Sequence, residues 1–213
     1  MCVYYHIILP FGAVFNHSLK LYLKDTVIYG KLFIYKRRNM TMNETMKVLI
    51  ERRSCRSYKA EQITKEELDA VLTAGLWAPT GMNRQHTRLV AVTDPATVKK
   101  LSRMNAAVMG TDNDPFYGAP CVVIVFGDSA VYTYVEDGSL AMGNMMNAAH
   151  SVGLGSCWIH RAREMFESDE GKALMNSWGI PENYKGIGNC ILGYVDTPPA
   201  DRPRIEGRII CVE

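Results

Sequence analysis

Apolar and polar positions along this chain follow two periods, and from about residue 43 they alternate in a regular succession. Met46, Leu49 and Ile50 fall at i, i+3, i+4, which predicts a short amphipathic helix behind a Thr41–Glu44 capping box. Leu68, Val71, Leu72, Gly75 and Leu76 repeat the helical stripe behind a second box, Thr64–Glu67, and Pro79 ends it because proline disfavours helical geometry in the residue before it. Leu89–Val92 reads as a buried strand. Asp94-Pro95 then opens a third helix as N-cap and first helical residue, with Val98 and Leu101 inward. Asn105–Ala119 has little period and predicts a long lid or binding loop. In it Phe116 and Tyr117 are candidates either to line a pocket or to anchor the core. The unbroken apolar run Cys121–Phe126 fits a central strand buried on both faces. Tyr134–Val152 predicts the longest helix, apolar around much of its circumference, hence a core helix or one at a subunit interface. Its small residues Ala141, Gly143, Ala148 and Ala149 would admit a close partner helix. Gly153 and Gly155 end it, Cys157–Ile159 resumes as strand, Glu164–Trp178 holds one or two short helices, and Ile187–Val195 is a last strand.

Composition narrows the class. With 213 residues, 47% hydrophobic and 22% charged, the chain is an ordinary globular protein of one or two domains, and no linker divides it. A net charge of +2 without a basic face gives no reason to expect nucleic acid. The six cysteines form neither a Cys-x-x-Cys pair nor a metal-like cluster with histidine, so no metal is expected and a reducing cytoplasm is. Residues 1–40 stand outside the succession: Tyr4–Phe15 is apolar but interrupted, and too short for the roughly 20 residues that span a bilayer. Lys31–Arg38 mixes basic and aromatic residues, which a membrane surface could attract. The simpler expectation is no membrane contact and an N-terminal extension ahead of a single domain, 41–213.

Three short stretches carry candidate chemistry. Glu51-Arg52-Arg53-Ser54-Cys55-Arg56-Ser57-Tyr58 sets arginine forks and a hydroxyl where the first helix gives out, suited to a phosphate or equally to a solvated basic turn. Ala78-Pro79-Thr80-Gly81-Met82-Asn83-Arg84-Gln85 is a loop between the second helix and the next strand. Gly153-Leu154-Gly155-Ser156-Cys157-Trp158 follows the longest helix. Taken in this order, with helices between them, the three resemble the FMN-dependent nitroreductase family over about Asn43 to the C-terminus. The resemblance implies an α+β fold with a mixed central β-sheet flanked by helices, in an intertwined homodimer with FMN at the subunit interface.

It also implies roles. Arg52 and Ser54 would hold phosphate and ribityl groups, with Arg53 beside them in the cofactor-binding segment or else a solvent-facing or structural residue. Arg56 would face the N1 edge of the ring, where reduction places negative charge that a preplaced cation stabilises. Asn83 and Gln85 offer amides that donate and accept, suited to the pyrimidine edge, and Pro79-Thr80-Gly81 would lie against the partner's flavin. Gly155, Ser156 and Cys157 would bring backbone N–H groups to N5, glycine allowing the close approach. Arg204 would complete the phosphate site, ahead of Arg202 and Arg208. His86 stands where the family usually has proline, and reads as a local hydrogen-bonder. Cys157, without a paired cysteine, reads as packing.

The implied activity is ping-pong electron transfer from NAD(P)H through FMN to a small-molecule acceptor, a nitroaromatic, quinone or activated alkene. No catalytic side chain is needed beyond the tuning role of Arg56. Neither a dinucleotide fingerprint nor a P-loop occurs, so NAD(P)H would bind transiently over the flavin. The iodotyrosine-dehalogenating branch uses Glu, Tyr and Lys from a lid. The Asn105–Ala119 loop has Tyr117 but neither of the others, which sets that branch aside. A flavin-binding storage or sensor protein without turnover is the alternative, as is an oxygen-dependent flavin-modifying enzyme on the same fold.

Overall fold

The computed structural model describes residues 42–212 and, upstream, two short strands, β1 (Tyr22–Leu23) and β2 (Thr26–Val27), which pair antiparallel. These strands belong to a unit separate from the one that begins at Glu44. The expectations for Tyr4–Phe15, for Lys31–Arg38 and for Thr41 as a cap lie outside the described residues.

The main unit opens with α1 (Glu44–Glu51), whose stripe is only partly covered: Met46 is half-buried, Leu49 and Ile50 are exposed. α2 (Lys65–Leu76) starts on the predicted capping box, with the Glu67 N–H donating to Thr64 Oγ1 and the Thr64 N–H to Glu67 Oε2. β3 (Arg88–Val92) leads to α3 (Pro95–Met109), whose N-cap Asp94 accepts the Thr97 N–H at 2.8 Å. Next come β4 (Cys121–Asp128), α4 (Tyr134–Ser151), β5 (Gly155–Ile159), α5 (Ala162–Glu167), α6 (Asp169–Ser177) and β6 (Tyr184–Gly193).

The sheet order is β3-β4-β6-β5 and every ladder is antiparallel. The α+β reading stands. Among the described residues the parallel pairing is confined to an isolated Ser54–Ser156 bridge beside β5. β4 carries the two-residue period of a strand covered on both sides. Val122, Ile124 and Phe126 join one core with Leu101 of α3 and Met165, Phe166 and Met175 of α5 and α6. Cys121, Val123 and Val125 join the other with Val71 of α2 and Ala141, Met142, Met145 and Ala149 of α4.

Two expectations are corrected. The strand read as buried, β3, lies at the sheet edge, and of its five residues Val92 alone is buried. α3 runs on to Met109, so Asn105–Met109 is helix and the loop after it is shorter. A buried asparagine and two alanines hid the period. Asn105 is satisfied by tertiary partners, donating to the His160 carbonyl at 2.7 Å and accepting from Arg161 Nε at 3.1 Å. The remaining loop is pinned: Asp114 accepts the N–H groups of Phe116 and Gly118 at 2.9 and 2.7 Å, and the Ser102 hydroxyl. Phe116 is a core anchor, whereas Tyr117 is exposed.

Candidate active site

The arginine-rich segment is held along β5. Beyond α1 the chain turns extended, and the Cys55 N–H donates to the Ser156 carbonyl at 3.0 Å beside the Ser54–Ser156 bridge. Farther on, the Lys59 N–H donates to the Tyr194 carbonyl at 2.9 Å and the Asp196 N–H to the Ser57 carbonyl at 3.1 Å. The first and third sequence stretches are therefore backbone neighbours. Side chains alternate along an extended segment, so Ser54 and Arg56 share one side while Cys55 turns into the core. Gly155 is required by contact: a Cβ there would lie 2.6 Å from Val195 Cγ2 and 3.0 Å from Cys55 Cβ. Gly153, at φ 85°, closes α4 in the left-handed conformation that favours glycine.

The three arginines differ. Nη1 of Arg52 is buried and has no hydrogen-bond partner among the described residues. Arg53 is engaged throughout: Nη1 donates to the carbonyls of Ile50 and Arg52 at 2.6 and 3.0 Å, closing the end of α1, and Nε and Nη2 donate to Asp201. Arg56 is exposed. A buried guanidinium donor without an acceptor is costly, and a bound anion removes that cost. Arg52 thus fits a phosphate in a way that Arg53 does not.

Ser156 and Cys157 have buried side chains, so this segment offers backbone to a ligand. Burial raises the Cys55 thiol above its ordinary range against a smaller opposing contribution from the Ser156 backbone contact, and pushes Cys121 up to about 12. Thiols so placed are poor nucleophiles. The second sequence stretch, Pro79–Gln85, forms a short 3-10 turn at Gly81–Asn83 in which Met82, Asn83 and Gln85 all have φ near 50°, at 52°, 53° and 49°. Thr80 closes it: its carbonyl accepts the Asn83 N–H at 2.9 Å and its hydroxyl the Gln85 N–H at 3.0 Å. Gln85 Nε2 donates to Asn83 Oδ1 at 3.0 Å, which leaves Asn83 Nδ2 and Gln85 Oε1 as a donor and an acceptor on an exposed edge.

The turn is tied to α4 through a polar cluster that the sequence did not announce. The Gly81 N–H donates to both carboxylate oxygens of Asp137, at 3.0 and 3.1 Å. Asp137 Oδ2 also accepts from Thr133 Oγ1 at 2.8 Å and His86 Nε2 at 2.9 Å, and His86 and Asp137 are both buried. Burial pushes the Asp137 carboxyl up, but its hydrogen bonds from His86, Thr133 and the Gly81 N–H outweigh this and hold it below its usual range. His86 is the local hydrogen-bonder expected. Asp137 was missed because an acidic residue in a helix's first turn is ordinary and gives no sign of burial.

One chain does not unite all the predicted residues. Gly81 meets α4 at Asp137, whereas Ser156 meets it at the Met146 carbonyl, nine positions on. That separation is roughly 14 Å at the helical rise. The Arg52–Ser54–Ser156 group and the Thr80–Gln85 turn thus meet α4 at separate points, one past its middle and one in its first turn. Arg204 is exposed in the C-terminal tail, three positions beyond the Asp201 that pairs with Arg53, and Arg202 and Arg208 are exposed with it.

The model of the nitroreductase family matches residues 49–111 and 106–194. The chain is 31% identical over 159 residues to a protein of Archaeoglobus fulgidus provisionally named NADH dehydrogenase/NAD(P)H nitroreductase, covering 72% of this chain and 86% of that one. It is 26% identical over 181 residues to the FMN reductase [NAD(P)H] of Bacillus subtilis, covering 77% of this chain and 71% of the relative. Among solved structures, a nitroreductase with bound FMN from Bacteroides fragilis superposes with a TM-score of 0.75 at 31% identity, over 80% of this chain and all of that one. With most of the described residues inside the matched ranges, the chain belongs to the nitroreductase family.

Proposed function

We propose that this chain is an FMN-dependent oxidoreductase that moves electrons from NAD(P)H to a nitroaromatic, quinone or activated alkene, as a homodimer whose sites each draw residues from both copies. The observation that carries the reading is the buried Nη1 of Arg52, unpartnered among the described residues, beside the Ser54–Ser156 bridge. When bound, FMN supplies the hydride-accepting and electron-donating chemistry in two half-reactions, the first ending as NAD(P)⁺ leaves. The residues do the rest. Arg52 and Ser54 hold the phosphate and ribityl end, assisted by Arg204, while Arg53 braces α1 and the tail. Arg56 places a cation at the N1 edge, and the Gly155–Cys157 backbone lies close to the ring. Asn83 and Gln85 present their donor and acceptor to the pyrimidine edge, and Pro79-Thr80-Gly81 reaches the site of the other copy.

A second copy suits the surface. Leu49, Trp77 and Leu140 are 50%, 82% and 47% exposed on or beside α1, α2 and α4, apolar surface that a second copy would cover. A Cβ on Gly143 would meet nothing within 4 Å, so the outer side of α4 has room for a close neighbour. The two half-sites spaced along α4 then each find their complement across the interface. Among the described residues no helix is long and apolar enough to cross a membrane, and Cys55, Cys121, Cys157 and Cys190 are buried free thiols, in keeping with a reducing cytoplasm. The test is NAD(P)H oxidation by the purified protein with and without a quinone. Acceptor-dependent turnover supports an enzyme, whereas flavin binding without turnover means a storage or sensor protein.

A further inference from the structure

We propose that His86 is a positioning residue for the Thr80–Gln85 turn, its imidazole fixing the carboxylate that holds the Gly81 N–H and so the edge that Asn83 and Gln85 offer to the flavin. The inference rests on the reading that this turn belongs to the flavin site.

The ring is clamped from both sides. The Asp128 N–H donates to His86 Nδ1 at 3.2 Å, so Nδ1 is bare and Nε2 carries the proton given to Asp137 at 2.9 Å. β4 thereby fixes the imidazole, the imidazole fixes the carboxylate, and the carboxylate fixes Gly81. Asp137 Oδ2 receives three donors and Oδ1 one, from the Gly81 N–H, His86 and Thr133. Gly81 fits here because it lacks a side chain: a Cβ would lie 2.5 Å from Thr133 Oγ1.

The clamp has something to hold. Met82, Asn83 and Gln85 all lie in the left-handed region without being glycine. Such residues persist only where the surroundings over-determine them. Within the turn Thr80 supplies two bonds, and the tie to the body of the protein runs through Gly81 to Asp137. Without His86 the carboxylate loses one donor and its lateral support, and Gly81 keeps a partner that can swing. The Asn83 and Gln85 amides then lose their fixed placement, although neither touches His86.

The experiment measures FMN affinity of the full-length protein by fluorescence titration, together with the visible circular dichroism of the bound flavin, for His86→Leu, His86→Gln and Asn83→Ala. Glutamine can donate to Asp137 and accept from the Asp128 N–H through one carboxamide, and leucine can do neither. His86→Leu is expected to weaken binding by up to about tenfold, the loss of one well-placed amide contact to the flavin, and to change the dichroism. His86→Gln should restore both. If His86→Leu does not fold, His86→Asn, which fills the space but spans one of the two bonds, is measured in its place. Wild-type affinity and dichroism in the leucine or asparagine variant, or a glutamine variant no better than either, overturns the proposal. If Asn83→Ala weakens FMN while the His86 variants do not, positioning fails and the site reading survives. If Asn83→Ala is neutral while Arg52→Ala weakens FMN, the turn lies outside the site and the proposal falls with it. If both are neutral, the flavin-site reading itself has failed.

Discussion

Arg52 and Arg53 are adjacent and chemically identical, so replacing each by alanine separates binding from bracing. Arg52 Nη1 is buried with no partner among the described residues, and Arg53 has every nitrogen engaged within the chain. A hydrogen bond between charged groups contributes about 1.5–3 kcal/mol, and about 1.4 kcal/mol is tenfold in affinity. Arg52→Ala should therefore raise the Kd for FMN by roughly 10- to 150-fold. The same substitution removes a buried donor that is unsatisfied without the ligand, so it should cost the flavin-free protein little. That gives a second readout. At a flavin concentration 100 times the wild-type Kd, binding stabilises the protein by about 2.7 kcal/mol. A 100-fold weaker variant retains about 0.4 kcal/mol at that concentration. For a protein of this size the difference lowers the melting temperature with FMN by roughly 5–9 °C. Arg53→Ala should show the reverse: a weaker end to α1 and a freer tail, with FMN-induced stabilisation close to wild type. Thermal melts of the three proteins with and without FMN make the comparison. Equal FMN-linked shifts in all three would refute the assignment of Arg52 to the phosphate.

Arg56→Gln keeps a donor and removes a charge, so it should lower the flavin midpoint potential and slow reduction by NAD(P)H while costing less FMN than Arg52→Ala; a redox titration showing occupancy lost without a change in potential would make Arg56 a phosphate ligand instead. Deleting residues 1–39 should leave dimerisation, flavin content and NAD(P)H oxidation intact, and insoluble protein that FMN does not rescue would contradict this. Asp137 has a folded pKa below its unfolded value of about 3.9, so its ionised form adds stability that is present above that value and lost as pH falls through the folded pKa. Urea titrations of wild type and Asp137→Asn should accordingly converge as pH drops below about 4, and a constant gap down to pH 2 would show that the carboxylate is not held ionised.

Local chemistry was legible wherever it was written within a few residues. The Thr64–Glu67 box, the Asp94 cap and the apolar run of β4 depend on near neighbours, and each forms as its spacing requires. The meeting of Arg52–Tyr58 with β5 was legible only through the family resemblance, because a bridge between Ser54 and Ser156 leaves no periodic trace. Asn105 and Asp137 were opaque for a common reason. A polar residue in a helix reads as solvated unless its partner is known, and those partners are the His160 carbonyl, Arg161, His86 and the Gly81 N–H, brought in by tertiary structure. The resemblance already set Arg52 apart from a structural Arg53, but the partners that occupy Arg53, Asp201 and the carbonyls at the end of α1, are fixed only by tertiary structure.

The most direct test is an anaerobic titration of the purified full-length protein, reconstituted with FMN and desalted, followed by visible absorption as NAD(P)H and then a quinone are added. Flavin bands that survive desalting, bleach with one equivalent of NAD(P)H per site and return with one equivalent of quinone are the result predicted. Bands lost on desalting, or bands that NAD(P)H leaves unchanged, would contradict the account.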